Sequence, residues 1–324
     1  MNGPVMISVR GRATRIRDAG DPDGTPVLLL HGIGRSLEDW APLYPRLAGT
    51  HRLISLDLPG SGFSARAAEP TTLEVLAQAA LDTLDAVGEH RPVHLVGNSL
   101  GGAVALRAAV QRPAGVAGLC LVNSAGFGAE AALALRIMAL PGIGDLALRR
   151  PTRTSARRVE RLTFADPRWA TEARVEHALA IARQPDTAAV MLETLRALAT
   201  FRGVRSPWRG ELLREAATHR HPTLVVWGDR DRILPPSHLA AAKAALPYAE
   251  TEMFAGIGHM PQIECPDEFA GRLLTFLDTV GHVGHGERVE PAAAVSRRSA
   301  EPDGNRGLAV GTEHVEVGKE HDLA

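Results

Sequence analysis

A serine lies at a sharp turn in the segment Gly97-Asn-Ser99-Leu-Gly101-Gly. Residues 93–96 form a short, mainly apolar run that predicts a buried strand, and a helical pattern begins directly after the serine. A serine at such a strand-to-helix turn is forced into strained backbone geometry that holds its hydroxyl clear of the sheet. The helix N-terminus beside it favours developing negative charge. We therefore predict that Ser99 is a nucleophile; the alternative is a glycine-rich turn that only starts a helix.

A serine hydroxyl needs a base within hydrogen-bonding distance before it can attack a substrate. The chain has 13 histidines, and His259 fits this role best. It follows Gly258 in a loop between a predicted strand at 251–254 and the last predicted helix, at the end of the sheet where Ser99 would lie. We predict that His259 is the general base, the alternative being an ordinary loop histidine.

The base in turn needs a carboxylate that orients it and stabilises its charged form. Two aspartates, Asp229 and Asp231, follow the predicted buried strand at 223–227. Asp229 is so close to the strand end that capping the turn is its expected role, which favours Asp231 as the acid. The other position for an acid, after the preceding strand, begins with Asn123 and offers no carboxylate.

Two backbone N–H groups are expected to bind the oxyanion that forms when the serine attacks. Leu100 supplies one N–H group, because it directly follows the serine. The glycine-containing turn His31-Gly-Ile33-Gly follows the predicted strand at 27–30, and its open backbone would direct the N–H of Ile33 toward the nucleophile.

Composition narrows the class of protein that carries these residues. The chain has 324 residues, of which 45% are hydrophobic and 23% charged, as in soluble globular proteins of one or two domains. Its 36 Lys and Arg against 37 Asp and Glu leave a formal net charge of −1, without the basic excess that nucleic-acid binding requires. Only 4% of the residues are aromatic, which disfavours stacking on single-stranded bases.

Nothing in the sequence predicts a metal site, a cofactor or a membrane anchor. The two cysteines, Cys120 and Cys265, are far apart and form no metal-ligand pattern. The first ten residues lack the basic and apolar regions of a signal peptide, and no apolar stretch is long enough to span a membrane. We expect a cytoplasmic enzyme that acts on a small molecule; the sequence does not specify its oligomeric state.

Short apolar runs alternate with helical patterns along most of the chain, which predicts an α/β fold with a doubly wound, mostly parallel sheet. A small hairpin at residues 5–17 precedes them, and one crossover helix is predicted to begin at Thr71, with Glu74 completing a capping box. The runs that predict buried strands are 27–30, 53–56, 93–96, 116–122 and 223–227.

The alternation stops between residues 127 and 218, where the sequence is helical in period and has no strand-like run. This insertion is predicted to form a cap over the carboxyl ends of the strands, where open α/β sheets bind ligands. The predicted core is therefore residues 1–126 together with 219–281. From residue 282 to 324 apolar residues occur singly, which predicts a disordered tail.

The predicted cap begins with an apolar stretch at 131–140, followed by Pro141, Gly142 and Gly144, a break that could act as a hinge. Several arginines come next along the chain. The simplest interpretation is a lid helix with a solvated face, and the alternative is contact with an anionic lipid interface. The arginines are Arg149, Arg150, Arg153, Arg157, Arg158 and Arg161.

With five motifs in this order, the chain resembles the α/β-hydrolase fold serine hydrolases that carry a helical cap. The resemblance covers about residues 5–280 and implies the chain order Ser99, Asp231, His259 for the triad. It also implies a structural rather than catalytic role for Asp57, and Ser99 argues against members that use an aspartate nucleophile. The motifs are His31-Gly-Ile-Gly, Asp57-Leu-Pro-Gly-Ser-Gly, Gly97-Asn-Ser-Leu-Gly-Gly, Gly228-Asp-Arg-Asp-Arg-Ile-Leu-Pro and Gly258-His259.

The resemblance leaves the substrate open. Esterases and lipase-like members fit all five motifs and imply hydrolysis of a small or medium-chain carboxylic ester. Hydrolases of carbon–carbon bonds in meta-cleavage products share an asparagine before the serine, as at Asn98, but carry tryptophan where this chain has Met260. Such enzymes use a cap arginine, for which Arg196 or Arg202 could serve. A receptor of the same fold that binds a small ligand without turnover is the least favoured alternative.

Overall fold

The computed structural model describes residues 3–286, with side chains described as far as residue 280. The strands in this part of the chain are β1 (Val5–Val9), β2 (Arg12–Gly20), β3 (Thr25–Leu30), β4 (His51–Leu56), β5 (Val93–Asn98), β6 (Val116–Val122), β7 (Ala199–Thr200), β8 (Gly203–Val204), β9 (Thr223–Gly228) and β10 (Glu250–Phe254). The α-helices are α1 (Tyr44–Leu47), α2 (Leu73–Ala86), α3 (Leu100–Gln111), α4 (Leu133–Met138), α5 (Ile143–Leu148), α6 (Arg153–Thr163), α7 (Glu172–Ala182), α8 (Thr187–Leu198), α9 (Ser206–His219), α10 (Ser237–Ala245), α11 (Pro261–Glu264) and α12 (Pro266–Gly286). Three short 3₁₀ helices cover Leu37–Leu43, Pro113–Gly115 and Pro167–Trp169.

Eight strands form one sheet in the order β1-β2-β4-β3-β5-β6-β9-β10. The first two strands pair antiparallel, β2 also runs antiparallel to β4, and the remaining neighbours are parallel. The predicted doubly wound, mostly parallel α/β sheet and the N-terminal hairpin are confirmed. The hairpin turns at Arg10 and Gly11, both of which have positive φ.

The central strands are buried on both faces, which explains why their sequences are continuous apolar runs. In β3, Leu28 and Leu30 belong to a core that includes residues of α2, α3, α9 and α10. Val27 and Leu29, which point to the opposite face, belong to a second core with residues of α1 and α12. Helices therefore cover both faces, and the sheet fixes the positions of the loops at its carboxyl edge.

The N-cap of α2 differs from the prediction by one residue. The hydroxyl of Thr72, not Thr71, accepts the capping hydrogen bond from the N–H of Val75. Thr71 instead donates its hydroxyl to Glu193 of α8. A contact with a distant helix therefore replaces the local cap that the sequence suggested.

The six helices α4 to α9 lie between β6 and β9, where the sequence predicts the helical insertion. One correction is needed: the insertion also contains the short antiparallel pair β7-β8. Residues 3–286 group as one compact unit, so the division into core and cap at 126/127 and 218/219 stays a prediction.

The last helix, α12, extends to Gly286, so the predicted boundary of the tail at residue 282 falls inside a helix. The remaining part of the predicted tail, 287–324, lies outside the described residues. Within residues 3–286, no helix is both long and apolar enough to cross a membrane.

Candidate active site

Ser99 occupies the turn between β5 and α3 with φ 57° and ψ −117°, a conformation that non-glycine residues rarely adopt. Backbone hydrogen bonds hold it there. The N–H of Ser99 donates to the carbonyl of Val122 (3.0 Å), and its own carbonyl accepts from Gly102 and Ala125 (3.1 and 2.9 Å). The sheet and the first turn of α3 therefore impose the strained geometry that the sequence predicted.

The two glycines that flank the serine are required by close backbone contacts. A Cβ atom at Gly97 would lie 2.2 Å from the carbonyl oxygen of Gly101, and one at Gly101 would lie 2.1 Å from the carbonyl oxygen of Leu30. Neither contact can be relieved by moving a side chain, because both partners are backbone atoms. The spacing of the motif thus results from the packing of α3 against β3 and β5.

His259 and Asp231 form a buried pair behind this turn. The Nδ1–H of His259 donates to Oδ2 of Asp231 over 2.7 Å, which leaves Nε2 as the free acceptor of the ring. The same Oδ2 accepts from the amide of Asn123 (2.7 Å). The other oxygen, Oδ1, accepts from the backbone N–H groups of Ile233 and Leu234 (2.7 and 3.0 Å). With four donors, the carboxylate is held in one orientation toward the imidazole.

Asp229, two residues before Asp231, has a different partner. Its Oδ1 accepts from the backbone N–H of Gly256 over 2.7 Å, so it joins the loop after β9 to the loop after β10. Asn123, at the position where the sequence showed only a missing carboxylate, has φ 45° and supports Asp231 through its amide. The sequence does not indicate this role, because it arises only when the ends of β6 and β9 lie side by side in the sheet.

The main chain around His259 is fixed by groups from three other segments. The N–H of His259 donates to the carbonyl of Thr163 in α6 (3.0 Å), and its carbonyl accepts from the side-chain amide of Asn98 (3.0 Å). Glu264, which no sequence motif singles out, accepts from the N–H groups of Gly258 (3.0 Å) and Ala165 (2.8 Å). The insertion and the loop that carries His259 are therefore hydrogen-bonded to each other.

Glu264 is a buried carboxylate directly behind His259. Its burial raises the pKa of the carboxyl group, while the backbone N–H groups of Ala165, Gly258 and Met260 act in the opposite direction. A buried carboxylate that accepts hydrogen bonds from several backbone N–H groups of a loop fixes the conformation of that loop.

The turn after β3 lies against the serine. A Cβ atom at Gly32 would be 3.3 Å from the Cβ of Ser99, and Ile33 lines the same cavity as Ser99. His31 shapes this turn: its Nε2 accepts from the N–H of Leu58 (3.0 Å), so Nδ1 carries the proton and donates to the carbonyl of Gly32 (2.7 Å). The oxyanion roles of the Ile33 and Leu100 N–H groups stay a prediction.

Ser99 and His259 both line a cavity of about 400 Å³. No side chain within residues 3–280 makes a hydrogen bond to the Ser99 hydroxyl, which leaves it free to face the cavity. The walls away from the serine come mainly from the insertion and are predominantly aliphatic. They include Leu135, Met138, Leu148, Ala156, Leu162, Ala178, Ile181, Ala188 and Met191.

Neither Arg196 nor Arg202, the two arginines proposed for a substrate carboxylate, lines this cavity. Arg196 pairs with Asp145 (2.5 Å), and Arg202 is exposed. The arginines that do line the cavity are Arg35 and Arg158. In the sequence, Arg158 is one of several arginines of the predicted cap and Arg35 belongs to no pattern, because spacing along the chain does not indicate which side chain reaches the cavity.

Arg35 joins the core to the insertion. It makes two hydrogen bonds to Asp39 (2.9 and 2.7 Å) and a third to the fully buried Glu160 of α6. The cation is thus shared between a carboxylate of the core and one of the insertion, which holds α6 over the site. Both of its partners are buried, so the Arg35 charge is already neutralised within the protein.

Residues 27–272 match the profile of the Alpha/beta hydrolase family, and the chain belongs to this family. The dihydrolipoyllysine-residue acetyltransferase component of the acetoin cleaving system of Pseudomonas putida is 35% identical over 274 residues, which are 85% of this chain and 69% of that protein. Lipase 1 of Psychrobacter immobilis is 28% identical, over 79% and 78% of the two chains. The 2-hydroxymuconate semialdehyde hydrolase of Pseudomonas sp. strain CF600 is 29% identical, over 84% and 92%. The protein is a hydrolase.

Proposed function

We propose that this protein hydrolyses small or medium-chain carboxylic esters through an acyl-enzyme on Ser99. The observation that carries the proposal is that Ser99, at a positive-φ turn, and His259, bonded to the buried Asp231, line the same aliphatic cavity. A nucleophile, a base and a group that orients the base are what acyl transfer by serine requires.

In the proposed reaction, Nε2 of His259 accepts the proton of Ser99 as the serine oxygen attacks the ester carbonyl. Asp231 stabilises the resulting imidazolium, and the N–H groups of Ile33 and Leu100 bind the oxyanion. The imidazolium then gives its proton to the departing alcohol. A water molecule, activated by the same histidine, attacks the acyl-enzyme and releases the carboxylic acid.

The wall chemistry supports an ester with an aliphatic acyl or alkyl group. Met260 beside the base is buried against Phe164 and Ile263, and it also contributes to the cavity wall. A flexible thioether accommodates acyl groups of different shapes. A planar dianion would have to pair with Arg158, because the charge of Arg35, the other arginine of the wall, is already neutralised by Asp39 and Glu160.

Cleavage of a carbon–carbon bond in a meta-cleavage product is the second candidate. It is supported by the similarity to the semialdehyde hydrolase and by the shared asparagine before the serine. Two observations count against it: Arg196 and Arg202 lie away from the cavity, and the amide of Asn98 is engaged by the carbonyls of Val122 (3.1 Å) and His259 (3.0 Å).

Two measurements test the proposal. A fluorophosphonate probe should label the wild-type protein and fail to label Ser99→Ala, because only Ser99 combines the strained turn with a base. p-Nitrophenyl esters from butyrate to octanoate should then be turned over with higher kcat/KM than a dienoic meta-cleavage product. Labelling that persists in Ser99→Ala would remove the mechanism, and a preference for the dienoic acid by two orders of magnitude would make the second candidate the function.

A further inference from the structure

The outward side of residues 133–161, which form α4, α5, α6 and their connections, is here called the entrance face. No residue of α4 is buried, and only Gly144 is buried in α5. Large aliphatic side chains on these helices are instead exposed: Leu133 by 57%, Ile143 by 49% and Leu146 by 73%. A helix that packs against a core normally presents polar residues to the solvent, so this surface differs from an ordinary helix exterior.

The same two helices are apolar on their inner side. Leu135 and Met138 of α4 and Leu148 of α5 line the cavity that contains Ser99. The helices α4 and α5 therefore form a single layer, with aliphatic side chains both toward the cavity and on the entrance face. The cavity explains why the inner side of this layer is apolar. No described residue covers the apolar outer side.

The exposed residues of the cavity wall lie within this face. Most of the residues that line the cavity are buried or half-buried, and those that are exposed all belong to the segment 133–161. The expected entry route into the cavity is therefore between α4, α5 and α6. The exposed lining residues are Ala134, Ala147, Ser155, Arg158 and Val159.

The charge of the face is strongly positive. Residues 133–161 contain seven arginines and two acidic residues, in a chain whose formal net charge is −1. Of the two acids, Glu160 is buried against Arg35, and Asp145 pairs with Arg196 outside the segment. Four exposed arginines of the face make no ion pair with any residue that the structure describes: Arg149, Arg150, Arg158 and Arg161.

We propose that the entrance face docks on an anionic lipid surface. The exposed aliphatic side chains would enter the acyl region, and the unpaired arginines would bind lipid phosphate groups. The aliphatic groups of the face match the acyl region of such a surface, and its cationic groups match the anionic headgroups. Docking of the same face of a second copy of this chain would instead bring like charges together. The cavity mouth then opens onto the acyl chains, and hydrolysis of a lipid ester after docking rests on the proposed function.

The test measures binding of the full chain carrying Ser99→Ala to vesicles, so that no lipid is consumed. Binding to vesicles of phosphatidylcholine and phosphatidylglycerol (7:3) should be at least about thirtyfold tighter than to phosphatidylcholine alone, since each arginine near an anionic surface contributes about fivefold. Adding Leu146→Ser, Arg149→Gln and Arg150→Gln should abolish most of this difference. None of these three residues lines the cavity.

A matched control carries Met6→Ser, Arg214→Gln and Lys243→Gln, which remove one exposed apolar side chain and two exposed cations elsewhere on the surface. Its vesicle binding should equal that of the Ser99→Ala parent. Equal loss in the two triple variants, or equal binding to neutral and anionic vesicles, would overturn the proposal. So would a dimer, seen by analytical ultracentrifugation, that only the entrance-face variant disrupts.

Hydrolysis of soluble p-nitrophenyl butyrate, measured with Ser99 present, separates this inference from the proposed function. Both triple variants should keep the wild-type rate, because their substituted residues lie outside the cavity wall. Absence of hydrolysis in the wild type would remove the ester function and leave the vesicle result to decide the docking surface by itself.

Discussion

Replacing the carboxylate of Asp231 by an amide changes two of its four hydrogen bonds. In Asp231→Asn, the amide oxygen can still accept from Ile233 and Leu234, but the NH₂ group then faces two donors, the amide of Asn123 and Nδ1–H of His259. The imidazole loses its orientation and its countercharge, so we expect kcat to fall by about 10⁴-fold.

The neighbouring Asp229→Asn serves as the control, because the polar partners of the Asp229 side chain within residues 3–280 are the backbone N–H of Gly256 and the exposed Arg230. We expect its kcat to stay within about tenfold of wild type. Steady-state hydrolysis of p-nitrophenyl butyrate by the two purified variants measures both effects. If Asp229→Asn were the more damaging change, the acid would be misassigned although Ser99 and His259 could keep their roles.

Glu264 is predicted to be a positioning residue for the base. In Glu264→Gln, an NH₂ group replaces one oxygen and meets a backbone N–H from Gly258 or Ala165. The loop of His259 should shift, and we expect kcat to fall by about tenfold with little change in KM, since one buried donor loses its partner. The exposed Glu268→Gln on α12 is the matched control. Equal kcat values for the two variants would assign Glu264 a purely structural role.

The difference between Ser99 and Glu264 shows which parts of the site a sequence can predict. The role of Ser99 is encoded locally, in glycines two residues on either side and in a strand and helix that adjoin it. The role of Glu264 arises only when residues 165, 258 and 264 meet in space, and a lone glutamate near a helix start carries no signal of that meeting. The same reason explains why Asn123 was missed.

At the scale of elements, the connection between α6 and the core depends on one shared arginine. Arg35→Met would leave Glu160 buried without a cation and leave Asp39 with only Arg174 at 3.9 Å. Glu160→Gln would leave Arg35 paired with Asp39. We therefore expect Arg35→Met to lower the free energy of unfolding by about 3 kcal/mol or more, and Glu160→Gln to lower it by less.

Urea unfolding at pH 7 measures this order, with Arg46→Met as the control. The partner of Arg46, Asp267, is 88% exposed at its side chain, so this surface pair should contribute less than about 1 kcal/mol. Finding Glu160→Gln as destabilising as Arg35→Met would mean that Asp39 contributes nothing to holding the arginine.

Element types were predictable where hydrophobic period and length agree, as in β3 and α2. Boundaries were less so. Thr71 and Thr72 are equally good caps by residue type, and only the contact of Thr71 with Glu193 decides between them. The two-residue strands β7 and β8 are too short to have a period. Which arginines reach the cavity depends on how α6 and the loop after β3 pack.

At the scale of the whole molecule, one buried histidine should make the stability depend on pH. His94 of β5 is 2% exposed, and its ring meets Phe276 edge-on at 6.3 Å. Burial, helped by the charge of His51, lowers the pKa of His94 to about 4. Because the unfolded chain binds this proton more readily, the stability is complete above pH 6.5 and is lost as the pH falls toward 4.

When the pH falls from 7 to 5, protonation of this histidine in the unfolded chain should therefore lower the free energy of unfolding of the wild type by about 2 kcal/mol. His94→Leu should lack that part of the decline, even if it is less stable at pH 7. His90→Leu, at an exposed position, should keep the full wild-type decline. Urea titrations at the two pH values provide the comparison, and parallel declines in all three proteins would show that His94 is not the group responsible.

The hydrogen bond from the N–H of His259 to the carbonyl of Thr163 makes the backbone amide of the base a reporter of motion. That amide can exchange its proton with solvent only when α6 separates from the loop after β10. The rate of hydrogen exchange at the backbone amide of His259 therefore reports how often the insertion separates from this loop. Every separation that exposes this amide also breaks a hydrogen bond that positions His259. The protein should therefore be inactive in the open state and active only after the insertion closes again.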